Sequence, residues 1–108
     1  MTIEEFIAAR VDELEQDAHG AVAGEVARLA SDGCPITATE LLWGPGSEEW
    51  QEPFRVVAAY RALLRSVRLR IWQAFASNSA VHDEQVRLDL MPLAAIWSDH
   101  PDYRREWA

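Results

Sequence analysis

Apolar side chains recur at steps of three or four along the first quarter of the chain, at Ile3, Phe6, Ile7, Val11, Leu14, Ala18, Val22, Val26 and Leu29. An α-helix gathers such positions on one face. A stripe this long demands a second apolar surface to cover it, so the chain must fold helix against helix. The pair Thr2 and Glu5 reads as a capping box that opens the helix. Gly20 and Gly24 weaken its interior by about 1 kcal/mol each relative to alanine, and a bend or break is expected near them. Ser31-Asp32-Gly33 is a stop signal, with Gly33 suited to a left-handed cap, and Pro35 confirms the end.

Residues 33–52 are the least regular part of the chain. Thr37 and Glu40 form a second candidate capping box ahead of Leu41, Leu42 and Trp43, which predicts one or two helical turns. A short strand around Ile36 is the alternative, although it lacks an obvious partner. Gly44-Pro45-Gly46-Ser47 reads as a loop. A second long helix is expected to open near Glu52 or Pro53, because proline suits the first helical position. It carries Phe54, Val57, Tyr60, Leu64, Val67, Ile71 and Phe75 at helical spacing. Ser77-Asn78-Ser79 ends it and offers Ser79 as the next cap. A third helix holds Val86, Leu90, Leu93, Ile96 and Trp97 on roughly one face. Pro92 lies inside it and predicts a kink or a restart. In the tail, Asp99 is a candidate cap, Pro101 an early helical residue and Asp102 an acid well placed for the helix dipole. Tyr103 and Trp107 then fall one turn apart on one face.

The expectation is an all-α fold in a single domain, residues 1–108, with helices near 2–31, 53–76, 80–98 and 101–107. The arrangement is a three-helix bundle, or a helical hairpin with a kinked third helix and a short C-terminal helix packed across one end. A chain of 108 residues suits one domain with a modest core.

Charge is unevenly spread. The formal net charge is −8, which opposes non-specific binding to nucleic acid by the molecule as a whole. Residues 1–52 hold twelve acids and two arginines, whereas residues 53–82 hold five arginines and no acid. Arg61, Arg65 and Arg68 share one face of the second long helix and form a candidate anion-binding strip. The plainer reading pairs that face with acidic neighbours in the same molecule. Every strongly basic side chain is arginine, which fits a GC-rich coding sequence.

Catalytic and metal-binding spacings are not found. His19, His82 and His100 are scattered, with no His-x-x-x-His and no Cys-x-x-Cys. Cys34 is the one cysteine; it cannot form an internal disulfide, which fits a reducing cytosol. Ser47 sits in no nucleophile elbow or phosphate-binding loop. No enzyme activity, cofactor or metal is therefore expected. The acidic N-terminus is not a signal peptide, and no apolar run nears the ~20 residues of a membrane helix, so a cytoplasmic protein without a membrane role is expected. The five tryptophans are the better lead. Trp72 and Trp97 are expected in the core. Trp43 and Trp50 flank the irregular loop, either as lids on the core or as anchors for a partner. Tyr103 and Trp107 are the expected docking face of the tail, closing the fold from within or meeting an external partner.

The ending Ile96-Trp97-Ser98-Asp99-His100-Pro101-Asp102-Tyr103-Arg104-Arg105-Glu106-Trp107 resembles the C-terminal signature of a family of small actinobacterial and actinophage proteins, the domain-of-unknown-function 6221 family. The opening Ile3 to Glu13 and the stretch Pro53 to Ala58 look like that family's first helix and the start of its central helix. Residues 17–50 depart from its pattern, with only Trp43-Gly44-Pro45-Gly46 similar to the Pro-Gly-Pro-Trp-like segment found there. The resemblance implies lineage and brings no activity, substrate or catalytic residue. The expected function is that of a small non-enzymatic protein-interaction module whose partner is another protein or a second copy. The alternatives are nucleic-acid binding through the arginine strip, and an acidic inhibitor of phage type that mimics nucleic acid.

Overall fold

The computed structural model describes residues 1–75 and 79–107 of the chain. Among them are four α-helices and no strand: α1 (Ile3–Ser31), α2 (Ala38–Trp43), α3 (Glu48–Phe75) and α4 (Ser79–Ala94), followed by single 3₁₀ turns at Ala95–Trp97 and Arg105–Trp107. The fold is all-α, as the apolar periodicity requires.

The helix ends form where local chemistry directs them. At the start of α1 the Glu5 N–H donates to Thr2 Oγ1 at 3.2 Å, and the Thr2 hydroxyl donates to the Glu5 carboxylate at 3.3 Å. Thr37 and Glu40 repeat this arrangement at α2, at 3.1 and 3.2 Å. Each box satisfies an amide that the first turn of a helix leaves without a partner. α1 runs unbroken through Gly20 and Gly24. It ends in a Schellman motif: the Cys34 N–H donates to the Leu29 carbonyl at 2.9 Å and the Gly33 N–H to that of Ala30 at 3.2 Å. Gly33 takes φ +82° to close it, a backbone shape that costs side chains with a Cβ about 1–2 kcal/mol.

Three boundaries differ from the sequence reading. α3 opens at Glu48, not near Pro53, because Ser47 starts it: the Ser47 carbonyl accepts the N–H groups of Trp50 and Gln51 at 3.0 and 3.1 Å. Pro53 then lies one and a half turns in, where its missing N–H deprives only the carbonyl of exposed Glu49. The α-helical part of α4 continues past Pro92 and tightens to a 3₁₀ turn at Ala95. The tail is not a helix over 101–107. Residues 98–102 are turns, and only Arg105–Trp107 completes a 3₁₀ turn. The reason is local: the side chain of His100 accepts the Asp102 N–H through Nδ1 at 3.0 Å, a turn contact that competes with helix nucleation. Ser77 and Asn78, the expected break before α4, lie outside the described residues.

The residues gather into two compact units. One comprises Met1–Val11 and Tyr60–Ala108, the other Asp12–Ala59. The first contains most of the buried apolar residues, with Phe6, Ile7 and Val11 wholly enclosed alongside Val67, Ile71, Val86, Leu90, Ala94 and Trp107. Ion pairs tie its surface: Arg68 binds Glu4 and Arg70 binds Asp89. In the second unit the buried apolar residues are only Ala18, Val22 and Val57.

Two glycine substitutions should move stability in opposite directions. Gly33→Ala is expected to destabilise by about 1 kcal/mol because of its positive φ. Gly20→Ala, at a helical position with open space around a new Cβ, is expected to stabilise by about 0.5–1 kcal/mol. Urea titrations followed by far-UV circular dichroism check both.

Candidate functional site

The tail packs on the first helix through one ring. Phe6 lies on the buried face of α1 with 0% exposure. Three rings from the tail surround it: His100 at 5.8 Å between centroids, Tyr103 at 5.9 Å and Trp107 at 5.0 Å. Tyr103 and Trp107 also meet each other edge to face at 5.7 Å. Such edge contacts set the partly positive rim of one ring against the negative face of the next. Trp107 is itself buried, whereas Tyr103 is half-buried.

A buried cation sits beside these rings. Arg10 is 6% exposed. Its guanidinium lies 5.3 Å from the centre of the Phe6 ring, its Nη1 abuts the His100 imidazole, and the Asp102 carboxylate is 3.9 Å away. Burying a charge is costly unless it is compensated. Here a ring face, an imidazole and a carboxylate share that compensation, and His100 and Asp102 both come from the tail. Arg10 was missed in the sequence because it is charged. The available signal was its position, one turn after Phe6 and three residues after Ile7 on the apolar stripe.

The last turn is fastened from α4. Arg87 donates to both carboxylate oxygens of Glu84, at 3.1 and 2.6 Å, and its Nη1 reaches the Glu106 carbonyl at 3.3 Å. Hydrogen bonding from Arg87 holds the Glu84 carboxyl below the usual carboxylate range. A lowered value means that the pair contributes at pH above the ordinary glutamate range. The contribution is lost as pH falls through the lowered value. Arg104 adds a cation 5.8 Å from the Trp107 ring.

Arg68 is exposed and bound to Glu4, with Nε 2.9 Å from the carboxylate; Arg65 is exposed and Arg61 half-buried. Trp72, expected in the core, is 59% exposed. The buried residues Val67 and Ile71 define the inner face of α3, and Trp72 is turned about 100° from Ile71. Trp97 is half-buried and meets Tyr60 edge to face at 5.7 Å. Cys34 is exposed, and the side chain of His82 lies outside the described residues. No group of three or more potential metal-binding side chains occurs among the described residues.

In the second unit Trp50 is half-buried, but Trp43 is 75% exposed. Trp43 stands at the mouth of a hollow of about 490 Å³ lined by His19, Leu42, Gln51, Phe54, Arg55 and Ala58. Four of these, at positions 51, 54, 55 and 58, form one stripe of α3. His19 of α1 packs edge to face on Phe54 at 4.9 Å. Gln51 and Arg55 are engaged with their neighbours. Gln51 Nε2 donates to the Leu42 carbonyl and to Ser47 Oγ, and Arg55 Nη2 donates to Gln51 Oε1 at 2.7 Å. Arg55 also lies 3.7 Å from Glu52. These bonds hold the end of α2 against α3 and so place Trp43. Gly44 permits the turn that follows, since a Cβ there would come within 2.5 Å of the Glu40 carbonyl. The sequence signalled Trp43 but not Leu42, Phe54 or His19, which share the hollow only after α1, α2 and α3 assemble.

This is a small helical protein with an aromatic and cationic clasp on its C-terminal tail. The chain belongs to a family of unknown function (DUF6221), whose model matches residues 1–108. No curated protein and no solved structure matches it.

Two outcomes follow for the clasp. Trp107→Ala should cost about 3–5 kcal/mol in urea unfolding, and removal of residues 99–108 should lower the melting temperature sharply, while Trp107→Phe loses much less. The Glu84 carboxyl should titrate below the ordinary value of about 4.3 when followed by ¹³C NMR, and Arg87→Ala should return it to that value.

Proposed function

We propose that the protein is a non-enzymatic interaction module that binds another protein through its second unit, Asp12–Ala59. The observation that carries this reading is Trp43, 75% exposed beside a hollow walled by Leu42 and Phe54. An indole left in water at the rim of an apolar depression is the kind of anchor that dominates protein interfaces. The thin core of this unit supports the reading, because a bound partner would cover apolar surface that the unit leaves open.

The tail rings do not supply the binding surface in this reading. Trp107 is spent on Phe6, and Tyr103 lies against the same ring, so they serve closure of the fold. The arginine strip gives weaker support to nucleic-acid binding, since Arg68 is already occupied by Glu4. No described helix is long and apolar enough to cross a membrane.

Replacing Trp43 by the photo-crosslinking residue p-benzoylphenylalanine in host cells tests the reading. A discrete adduct with another protein, lost when Leu42 and Phe54 are both changed to serine, is the expected result. An adduct with a second copy alone would make self-association the function of the surface. Irradiation that yields no protein adduct overturns the reading.

A further inference from the structure

Two tryptophans stand largely in water: Trp43 in the second unit, at 75%, and Trp72 in the first, at 59%. Trp72 has an exposed apolar neighbour. Leu69, one turn before it on α3, is 57% exposed. Leu69 lies about 160° around the helix from each of the buried residues Val67 and Ile71, so it marks the outer face of α3. Ala62, Arg65, Leu69 and Trp72 fall within about 80° of arc on that face, and all of them are exposed.

The helices beside α3 leave this strip uncovered. Arg68 and Arg70 lie about 100° to either side of Leu69. Arg68 reaches sideways to Glu4 on α1, and Arg70 to Asp89 on α4. These ion pairs also decide the charge of the strip. The first unit holds eight acids and eight arginines and is formally neutral, which leaves the whole −8 on the second. Between Tyr60 and Phe75, however, α3 has four arginines and no acid. Arg68 and Arg70 are matched from α1 and α4, and Arg61 is half-buried. Arg65 is exposed and makes no ion pair among the described residues. It sits within the strip, one turn from Leu69 and two from Trp72. The strip is thus an apolar seat with a cation of its own.

We infer that this strip docks an acidic amphipathic helix of a partner protein, with its apolar face over Leu69 and Trp72 and an aspartate or glutamate against Arg65. The spacing from Ala62 through Arg65 and Leu69 to Trp72 is three, four and three, that of a coiled-coil seam. It runs about 15 Å along the axis, so a helix is the shape that fits. Ala62 leaves room at one end for a large side chain of the partner, and Trp72 supplies one at the other. Tryptophan and arginine are the side chains that most often dominate such contacts. A guanidinium beside apolar groups takes a carboxylate in a strong two-pronged bond. A second copy fits poorly, because it would set Arg65 near its own counterpart on the same short seam, with −8 on each chain. A phosphate backbone calls for a run of free cations, and Arg68 and Arg70 are already engaged. This is a second contact surface, carried by the first unit alone.

Three synthetic helical peptides with the same Leu- and Phe-containing apolar face and with acidic, neutral or basic polar faces test the inference on the full chain. Binding is measured by isothermal calorimetry and by the ¹H–¹⁵N shifts of the indoles, at about 0.15 M salt, where distant charges are screened. The acidic peptide is expected to bind at least tenfold more tightly than the neutral one and to move the Trp72 signal. Trp72→Ala should weaken it at least tenfold. Arg65→Gln should erase most of the preference for the acidic peptide, and Arg65→Glu should transfer it to the basic one. Both side chains are exposed, so these variants should melt close to the parent. Equal binding of the acidic and neutral peptides, or a preference that survives Arg65→Gln, overturns the inference. So does binding that moves only the Trp43 signal, or failure of all three peptides to bind. A dimer in sedimentation that is lost in Trp72→Ala overturns it in favour of a second copy. A single-stranded oligonucleotide that moves the Trp72 signal and binds more tightly than the acidic peptide overturns it in favour of nucleic acid.

Discussion

The ring of Phe6 is the contact on which the unit formed by residues 1–11 and 60–107 depends. It is wholly buried, and three rings from the end of the chain pack around it. Each aromatic brings roughly 150–250 Å² of surface that water would otherwise cover. Joining the first helix to the last turn closes a very long loop, but the entropic cost of closure rises only with the logarithm of its length. A compact cluster of rings can therefore hold the two ends of the sequence together.

Arg10 makes that closure specific. A buried guanidinium is tolerated only where its charge is met, and here Phe6 offers a ring face from within the helix while His100 and Asp102 arrive with the tail. Seating the tail elsewhere would take the His100 and Asp102 contacts away from the buried cation, which is costly. The His100 imidazole has a second task, since its Nδ1 accepts the Asp102 amide and shapes the turn that brings Tyr103 and Trp107 back to Phe6. Within the stretch Asp99 to Trp107, His100, Tyr103 and Trp107 thus pack on Phe6 as a clasp. Trp43, 75% exposed, takes no part in that clasp.

The second unit is built on a different balance. Its buried apolar residues are small, its larger ones line a hollow, and it carries the whole formal charge of −8. Self-repulsion and a thin core both lower the stability of a compact state. The Thr37 capping box, the Schellman turn and the Gln51 bonds to Leu42 and Ser47 are local devices that offset this by fixing the helices and the loop between them.

Much of the fold was legible in the sequence because it is local. The stripe of α1, its cap at Thr2, its end at Gly33 and the short helix after Thr37 all depend on residues within about five positions of one another. The misread boundaries were local competitions: Ser47 against Pro53 for the start of α3, and the His100 turn against a helical tail. Long-range contacts were not legible in the same way. Periodicity says that Phe6 is buried but not that Trp107 covers it. It cannot bury Arg10, turn Trp72 outward from a stripe that included its neighbour Ile71, or gather His19, Leu42 and Phe54 around an open hollow. The sequence alone determined the all-α class, the caps and the overall negative charge, because these follow from backbone geometry and composition. The tertiary structure decided which charges are buried, which aromatics close the fold and which remain exposed, because those outcomes arise only when distant residues compete for the same surface.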